Sequence, residues 1–329
     1  MSQQAAPDNP VLEIKELEQK EFMLHELQNI AAEERKRKHK REVKDETEYA
    51  TGLLQPKTII NDIKSQNYFN GLSRRRVSIP DSYSSVDLGL VSPVKDQLNC
   101  GSCVAFSNLA VIETCFKKLI GVFGDYSEQQ LIDCGYNGDS VDGCKGAYVD
   151  AYIDWATKTK TPLIHEYNYP YLNLDPKLIC PSNIPAFNQG AKVNKKFTLQ
   201  QGGTEDLLKQ AVYTHGAVTS TVSAEDSFKS YKGGLFSGCT SNNRTHAVTV
   251  VGYGTENGVD YWLIKNSWGT SWGERGFMKL KRGVGMCGIG MDLAAVTCTK
   301  ADGPISETPT TKPCMGKWII ILFLFLLMD

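Results

Sequence analysis

The sequence predicts an α+β fold, and three observations support that class. Apolar residues recur at helical spacing from Val104 to Lys118, and β-branched stretches typical of strands begin at His246 and Tyr261. Of the 329 residues, 41% are hydrophobic and 22% are charged, which is an ordinary globular composition. That composition excludes a wholly disordered chain, a collagen and a polytopic membrane protein. The length suits about one to three domains.

Charge and cysteine content narrow the class of protein further. Lys and Arg number 36 and Asp and Glu number 37, so no excess of positive charge points to nucleic acid as a partner. Ten cysteines are too few for a miniature disulfide scaffold but enough for several bridges in a secreted or luminal domain. Cysteines in such numbers also commonly bind metal ions, so their spacing must distinguish disulfides from a metal site.

The N-terminal residues 1–78 differ from the rest of the chain. The first 30 residues lack the basic start and apolar core of a secretory signal peptide. From Val11 to about Ala50 the pattern is helical, and the basic run at 35–41 is more typical of a solvated helix face than of a nuclear-localisation signal. A second basic cluster, 74–76, indicates a loop open to trypsin-like or furin-like cleavage, although chance surface charge explains it equally well.

The C-terminal end is a polar linker, residues 302–317, followed by an apolar tail, residues 318–329. The unbroken apolar run 318–328 would span about 16 Å as a helix, against the roughly 30 Å of a bilayer core. A lipid-anchor signal, an interfacial anchor and an artefact of the sequence therefore stay open, and membrane association through this run stays open with them. A lipid anchor requires entry into the secretory pathway, so the lack of a visible signal peptide suggests an incomplete N-terminus.

The middle of the chain carries the chemistry, beginning with the motif Cys100-Gly101-Ser102-Cys103. A loop containing Pro93 precedes the motif and the predicted helix follows it, so Cys103 is expected at a helix N-terminus. The helix dipole there favours negative charge and lowers the pKa of a thiol. Cys-x-x-Cys also occurs in thioredoxin-like redox sites and in zinc sites, but no βαβ strand precedes it and no second ligand pair follows. We predict no metal and no other cofactor.

His246 and Asn266 lie downstream, in positions that suit a thiol nucleophile. His246 opens the first predicted strand, and Asn266 ends the second, just before a turn rich in Gly and Trp. Two adjacent antiparallel strands would hold the two side chains side by side. Either residue alone is more often structural, but together with Cys103 they indicate nucleophilic catalysis.

These motifs resemble those of the papain-like cysteine peptidases, the group that includes cathepsins L and F. His246 follows Cys103 by about 140 residues, as the family signature requires, and the resemblance covers residues 79–301. It implies a helical left subdomain, a β-barrel-like right subdomain and an active site in the cleft between them. It also implies that mature enzyme begins near Ile79 and that residues 1–78 form an atypical, partly helical pro-segment of a zymogen.

The resemblance further implies a cysteine endopeptidase that cleaves polypeptides through an acyl-enzyme. Cys103 would be the nucleophile, and His246 would donate and accept the proton. Asn266 would orient the imidazole, with Trp268 covering their hydrogen bond. Gln97 would donate a hydrogen bond to the oxyanion. Absence of the inserted loop of cathepsin B favours endopeptidase over carboxydipeptidase action.

Substrate contacts are implied by the same resemblance. Gly146 and Ala147 stand where the family usually has two glycines, and the extra methyl of Ala147 is expected to crowd the substrate backbone. Asp292 is expected at the bottom of the S2 pocket, which holds P2, the second residue before the scissile bond. Its carboxylate would accept a basic P2 side chain, unless Met291 fills the pocket and Asp292 points to water. The expected pocket walls are Thr221, Val222 and Ala247.

The remaining cysteines and one glycosylation motif complete the expectations. The family pattern implies the bridges Cys100–Cys144, Cys134–Cys180 and Cys239–Cys287. Cys115 is expected to be a small buried hydrophobe, whereas Cys298 and Cys314 either pair with each other or stay free. Asn243 opens the one clear Asn-x-Ser/Thr sequon, and an unglycosylated turn is equally compatible with it.

Val104 is the main departure from the family pattern, which usually has Trp after the nucleophile. The reacting atoms remain, so activity is expected. The alternatives are a catalytically weakened pseudoenzyme or binding module and, more remotely, a thiol–disulfide oxidoreductase or a membrane-tethered protein with an incidental peptidase domain. The implied partners are polypeptide substrates, the chain's own pro-segment and cystatin-type inhibitors, with a monomer expected. Bridges require oxidising conditions, which favours a lysosomal or extracellular location.

Overall fold

Two hydrophobic cores lie side by side in the computed structural model, one mainly helical and the other mainly β. The structure describes residues 49–59, 61–74, 78–159, 161–174, 180 and 190–301. The predicted helix before residue 49 and the apolar tail 318–328 lie outside these ranges. Within them, no helix is both long enough and apolar enough to cross a bilayer.

The helical half is built around the long helix that contains Cys103. Ser127 caps one of the shorter helices by accepting a hydrogen bond from Gln130 N, and Gly121 ends the long one in a left-handed conformation at φ 75°. The helix predicted over 104–118 is thus confirmed. The described α-helices are α1 (Ile63–Arg74), α2 (Cys103–Ile120), α3 (Glu128–Gly135), α4 (Ala151–Thr159), α5 (Glu205–His215) and α6 (Asp226–Lys229).

The second half contains one large sheet. Its strands follow the order β2-β8-β3-β5-β6-β7-β4, with β1 paired to β5, and every pair is antiparallel except β4 with β7. The two predicted strands are neighbours, β5 and β6, so the sheet sets His246 near the residue that follows β6. The strands are β1 (Tyr83–Ser84), β2 (Ala191–Leu199), β3 (Val218–Val222), β4 (Leu235–Phe236), β5 (His246–Glu256), β6 (Val259–Lys265), β7 (Phe277–Lys281) and β8 (Leu293–Lys300).

Buried polar contacts join helix α2 to the sheet. Ser107 donates a hydrogen bond to Val248 O at 2.9 Å and accepts one from Thr249 at 3.0 Å. Deeper in the junction, Lys265 donates to Ser92 at 2.9 Å, and burial lowers the pKa of this lysine to about 8. Because buried polar groups must find partners, these contacts specify one position of α2 against β5. They thereby fix the first residues of α2 and β5, Cys103 and His246, relative to each other.

Four disulfides occur among the described residues. The three bridges implied by the family pattern, Cys100–Cys144, Cys134–Cys180 and Cys239–Cys287, are all present. The fourth, Cys115–Cys298, corrects the expectation that Cys115 is a small hydrophobe and that Cys298 pairs with Cys314 or stays free. It joins α2 to β8, which are 183 residues apart along the chain, so sequence proximity gave no hint of it. Cys314 lies outside the described residues.

The fourth bridge is expected to stabilise the fold. Replacing Cys115 and Cys298 together by Ala is expected to lower the free energy of unfolding by about 2–5 kcal/mol, since the bridge closes a very long loop. Guanidinium titrations of the oxidised protein, carried out in a Cys103→Ala background, measure the change. The matched control is Cys103→Ala alone, because Cys103 forms no bridge. A change below about 0.5 kcal/mol, the size of an ordinary surface substitution, would contradict this expectation.

Candidate active site

Cys103 lies at the positive end of helix α2. It is the first helical residue, and the side chain of the preceding Ser102 does not cap the helix. Its thiol is fully buried, and Ala247 N donates to Sγ at 3.4 Å. Among the described cysteines it is the one outside a disulfide. Cys100 pairs with Cys144 instead, so the Cys-x-x-Cys motif does not form a redox pair.

The imidazole of His246 is held on one side only. Its Nε2 lies 2.8 Å from Asn266 Oδ1, which also accepts a hydrogen bond from Ser267 N at 2.8 Å. An amide oxygen only accepts, so Nε2 carries the proton in the neutral ring and Nδ1 is the basic nitrogen. Nδ1 is buried and has no hydrogen-bond partner in the described part of the chain. Trp268 stacks on the ring at 4.5 Å between centroids and covers this pair.

Gln97 presents its amide nitrogen to the cleft. Its Oε1 accepts a hydrogen bond from Ser267 Oγ at 2.6 Å, which orients the amide. Its Nε2 donates to Cys100 O at 2.9 Å and to Ala50 O at 3.2 Å. Ser267 was not singled out from the sequence, although it adjoins Asn266. Its backbone and side chain thus orient Asn266 and Gln97 together.

The N-terminal part of the chain occupies the cleft beside these residues. Ala147 donates to Gly52 O and accepts from Leu54 N, each at 2.9 Å, and Leu53 N donates to Thr245 O at 3.1 Å. Residues 49–55, here called the cleft segment, thus bind to both walls as a strand would. The methyl group of Ala147 was expected to crowd a bound backbone. It does not prevent this pairing, because the side chain lies in the first core.

Close backbone contact defines the centre of the cleft segment. A Cβ atom on Gly52 would overlap the carbonyl of Gly101, and one on Gly146 would overlap the carbonyl of Gly52. At the N-terminal end of the segment, Tyr49 stacks on Trp268 with 4.6 Å between centroids. Trp268 Nε1 also donates to Ala50 O at 3.1 Å. Only glycine fits at position 52 without a shift of these backbones.

Burial shifts the pKa of both reactive groups in the direction that favours their neutral forms. Desolvation raises the pKa of the Cys103 thiol to about 11, and the nearby amide groups of Ala247 and Gly52 oppose that rise. Desolvation likewise lowers the pKa of His246 to about 4, and the hydrogen bond that its ring donates to Asn266 opposes this shift. Each shift disfavours the charged form. With the segment bound, burial therefore favours a thiol and a neutral imidazole over an ion pair.

Asp292 is not free to bind a basic side chain, which corrects the expectation for the S2 pocket. Only 3% of the residue is exposed, and its Oδ2 lies 2.7 Å from Arg244 Nε. Thr221 Oγ1 donates to the same oxygen at 2.6 Å, and Gln201 N donates to Oδ1 at 2.8 Å. Thr221 and Val222, expected as pocket walls, are fully buried, Val222 within the second core.

Two other predicted positions have simple surroundings. Val104 is fully buried in the first core, where its side chain contributes to packing. Asn243 is exposed on the loop before β5, where its sequon is accessible. Among the described residues, no cluster of His, Cys, Asp and Glu has the arrangement of a metal site.

Comparison with known proteins identifies the family. Residues 79–297 match the family model described as papain family cysteine protease. This chain belongs to the papain family. It is 38% identical over 216 residues to thiol protease aleurain of Arabidopsis thaliana, an alignment that covers 64% of this chain and 58% of aleurain. The chain thus spans less than two thirds of that papain family relative.

Solved papain family structures match the fold as well. The bromelain protease from Ananas comosus in complex with the E64 inhibitor has a TM-score of 0.59 and 33% identity, covering 67% of this chain and 99% of bromelain. The Amb a 11 cysteine protease, a ragweed pollen allergen solved in its proform, has a TM-score of 0.60 and 29% identity. That alignment covers 68% of this chain and 67% of the allergen.

Proposed function

We propose that this chain is a cysteine endopeptidase that hydrolyses polypeptides and is made as a zymogen. The observation that carries the proposal is the His246 ring, with Nε2 held by Asn266 and Nδ1 without a partner among the described residues. The N–H of the next residue, Ala247, donates to Cys103 Sγ at a helix N-terminus. That arrangement suits proton exchange between a thiol and an imidazole. Gln97, with its amide nitrogen facing the cleft, supplies the hydrogen-bond donor that acyl transfer needs.

The proposed reaction has two acyl-transfer steps. Cys103 Sγ attacks the substrate carbonyl carbon while its proton passes to His246 Nδ1, and Gln97 Nε2 with the Cys103 N–H binds the oxyanion. The C–N bond then breaks, and the imidazolium gives its proton to the leaving amine. Water attacks the thioester after losing a proton to His246. The C–S bond then breaks, which releases the acid, and the imidazolium returns its proton to Cys103 Sγ.

Latency would follow from the direction of the cleft segment. The segment runs from Trp268, past Cys103, to Ala147. By the family resemblance, the acyl half of a substrate lies against Ala147 and Ala247, and the leaving half lies towards Trp268. A substrate would therefore run in the opposite direction. A reversed chain presents no correctly placed amide bond to the nucleophile, so the segment blocks the cleft without being cut.

The disulfides and the exposed sequon support a cellular location and a modification, and the cleft supports a class of inhibitor. Four disulfides require oxidising conditions during folding, which supports a lysosomal or extracellular compartment. Exposure of Asn243 supports glycosylation there. Cystatin-type inhibitors are proposed to bind the same cleft once residues 49–55 have left it.

Active-site labelling tests the proposed function. The folded chain is treated with E64 at pH 5.5 in mild reductant, before and after limited cleavage at the 74–76 cluster, and the adduct is located by mass spectrometry. We expect one adduct, on Cys103, that appears after cleavage and is absent from Cys103→Ala. Labelling before cleavage would show that the N-terminal segment is not inhibitory. No adduct in either form would reject the peptidase in favour of a pseudoenzyme.

Release of the N-terminal segment is expected to depend on pH through His215. The hydroxyl of Tyr68, on α1, lies 2.8 Å from His215 Nε2, and Tyr68 also stacks on Phe197 at 3.6 Å between centroids. Burial lowers the pKa of His215 to about 4, the Val296 backbone opposes this, and the charge of Lys118 adds to it. Docked α1 thus favours neutral His215, whereas undocking returns its pKa towards the ordinary value of about 6.5.

Acid therefore favours the undocked state, since that state binds more protons between pH 6.5 and 4. The E64 labelling rate of the uncleaved chain is expected to rise as pH falls through this window, by at most about tenfold per pH unit. His215→Gln, which does not titrate, is expected to flatten the rise. Tyr68→Phe, which removes only the hydroxyl, is the matched control and is expected to speed labelling while keeping the slope. An unchanged slope in His215→Gln would rule out this residue as the pH sensor.

A further inference from the structure

Arg244 adjoins the part of the cleft where the second substrate residue would bind. Its backbone oxygen lies 3.5 Å from Gln55 Nε2, and the next residue, Thr245, accepts a hydrogen bond from Leu53 N. Arg244 also precedes the catalytic-site His246 by two residues. Arg244 therefore belongs to the wall that holds the cleft segment, and its side chain extends from that wall to Asp292.

The contacts of the Arg244 guanidinium do not use all of its hydrogen-bond donors. Its Nε lies 2.7 Å from Asp292 Oδ2, although the N–H is not aligned for a hydrogen bond, and Nη1 lies 3.2 Å from Met291 Sδ. These two contacts engage Nε and Nη1, and Nη2 takes part in neither. A guanidinium has five N–H donors and no acceptor, so the unused groups can only donate.

The carboxylate of Asp292, in contrast, is already held by three groups of the protein. It already interacts with Arg244, the hydroxyl of Thr221 and the backbone amide of Gln201. Both side chains of the ion pair are almost completely buried, at 8% and 4% exposure. An incoming side chain would therefore meet the donor side of this pair and not the acceptor side.

We infer that Arg244 makes this cleft select substrates with a hydrogen-bond-accepting side chain, Glu or Gln, at P2. This inference rests on the proposed endopeptidase function and names the substrate class of the same site. A P2 Arg or Lys would face a like charge and find no free carboxylate. Glu would accept a hydrogen bond and also pair its charge with the guanidinium, whereas Gln would accept the hydrogen bond without a charge of its own. The order of preference is Glu, then Gln, then the basic residues.

Four fluorogenic peptides that differ only at P2 test the inference. They carry Glu, Gln, Leu or Arg, and kcat/KM is measured at pH 5.5 for the cleaved, active protein. Cleavage of the Leu peptide reports on the proposed endopeptidase, because it does not use the guanidinium. The ratio of the Glu to the Arg peptide reports on Arg244, and we expect it to be on the order of tenfold or more.

Three variants separate the charge of Arg244 from its packing. Arg244→Met frees Asp292, so the preference is expected to reverse towards the Arg peptide. The double variant Arg244→Met/Asp292→Asn removes both charges and avoids a buried unpaired carboxylate, which protects folding. Its ratio of Glu to Arg peptide is expected to fall close to one. Arg282→Met, at a partly exposed ion pair with Asp260, is the control and is expected to keep the ratio.

The outcomes distinguish the two claims. Cleavage of the Leu peptide with equal or faster cleavage of the Arg than the Glu peptide by the unsubstituted protein would overturn the role of Arg244. An unchanged ratio in the double variant would overturn it as well. Failure to cleave any of the four peptides, together with no E64 adduct on Cys103, would reject the endopeptidase and this inference with it.

Discussion

Replacing His246 by Ala is expected to lower kcat/KM of the cleaved protein by about 10⁴–10⁶-fold, as loss of a catalytic base does in other hydrolases. The reason lies in the ring geometry. Nε2 is occupied by Asn266, so Nδ1 is the nitrogen that can take the proton of Cys103 and return it to the leaving amine. Without the ring, the thiol also loses its counter-charge, and the fraction of thiolate near neutral pH falls.

Two readouts separate this role from a structural one. Peptide hydrolysis reports on the whole reaction, whereas the pH profile of Cys103 alkylation reports on the thiolate alone. In His246→Ala that profile is expected to shift towards the pH range of an ordinary thiol. His165→Gln is the control, since that ring packs against Tyr126 away from the cleft, and a few-fold change at most is expected. If His246→Ala kept more than about 1% of the activity, the proposed mechanism would be wrong.

Local patterns explain why much of the site was predictable from the sequence. Cys103 begins a helix whose apolar periodicity is strong, and His246 and Asn266 mark the ends of two adjacent strands of a hairpin. In each case a short stretch of chain determines where the residue lies. The family resemblance then added Gln97, whose role depends on a turn and on Ser267, and which looks ordinary in isolation.

Long-range pairs explain what the sequence did not reveal. Asp292 was expected to meet the substrate because its position was counted from Cys287, but its partner Arg244 lies 48 residues earlier in the chain. Cys115 and Cys298 are further apart still. Such pairs depend on how α2, β5 and β8 are packed. No local sequence pattern predicts that packing.

The position of the cleft segment could not be predicted from its sequence either. Its sequence, residues 49–55, is a short and mostly apolar stretch with one glycine and no motif of its own. Its position becomes evident only when the two walls are present, because Ala147 and Thr245 supply the backbone hydrogen bonds that hold it. The reason for glycine at position 52 is then its close contact with the Gly101 backbone, which the conformational preference of glycine does not reveal.

Replacing Gly52 by Val is expected to abolish latency in the uncleaved chain. Any Cβ at this position overlaps the Gly101 carbonyl, next to the nucleophile, and both contacting groups are backbone, which cannot rotate away. Overpacking of this kind costs about 1–3 kcal/mol or more, so the segment is expected to leave the cleft roughly 10–100-fold more often. The initial rate of E64 labelling at pH 7 measures that release before any cleavage occurs.

Gly71→Ala is the matched control for the Gly52 prediction. Gly71 lies on α1 of the same N-terminal region, and a Cβ there meets no atom within 4 Å. Alanine is also the better helix former, so α1 is expected to stay docked and labelling to stay slow. Both variants add side-chain bulk at a glycine, but only the side chain at position 52 meets a backbone carbonyl, that of Gly101. Equal labelling rates for the two variants would mean that the segment does not control access to Cys103, whereas fast labelling confined to Gly52→Val would locate the block at this one contact.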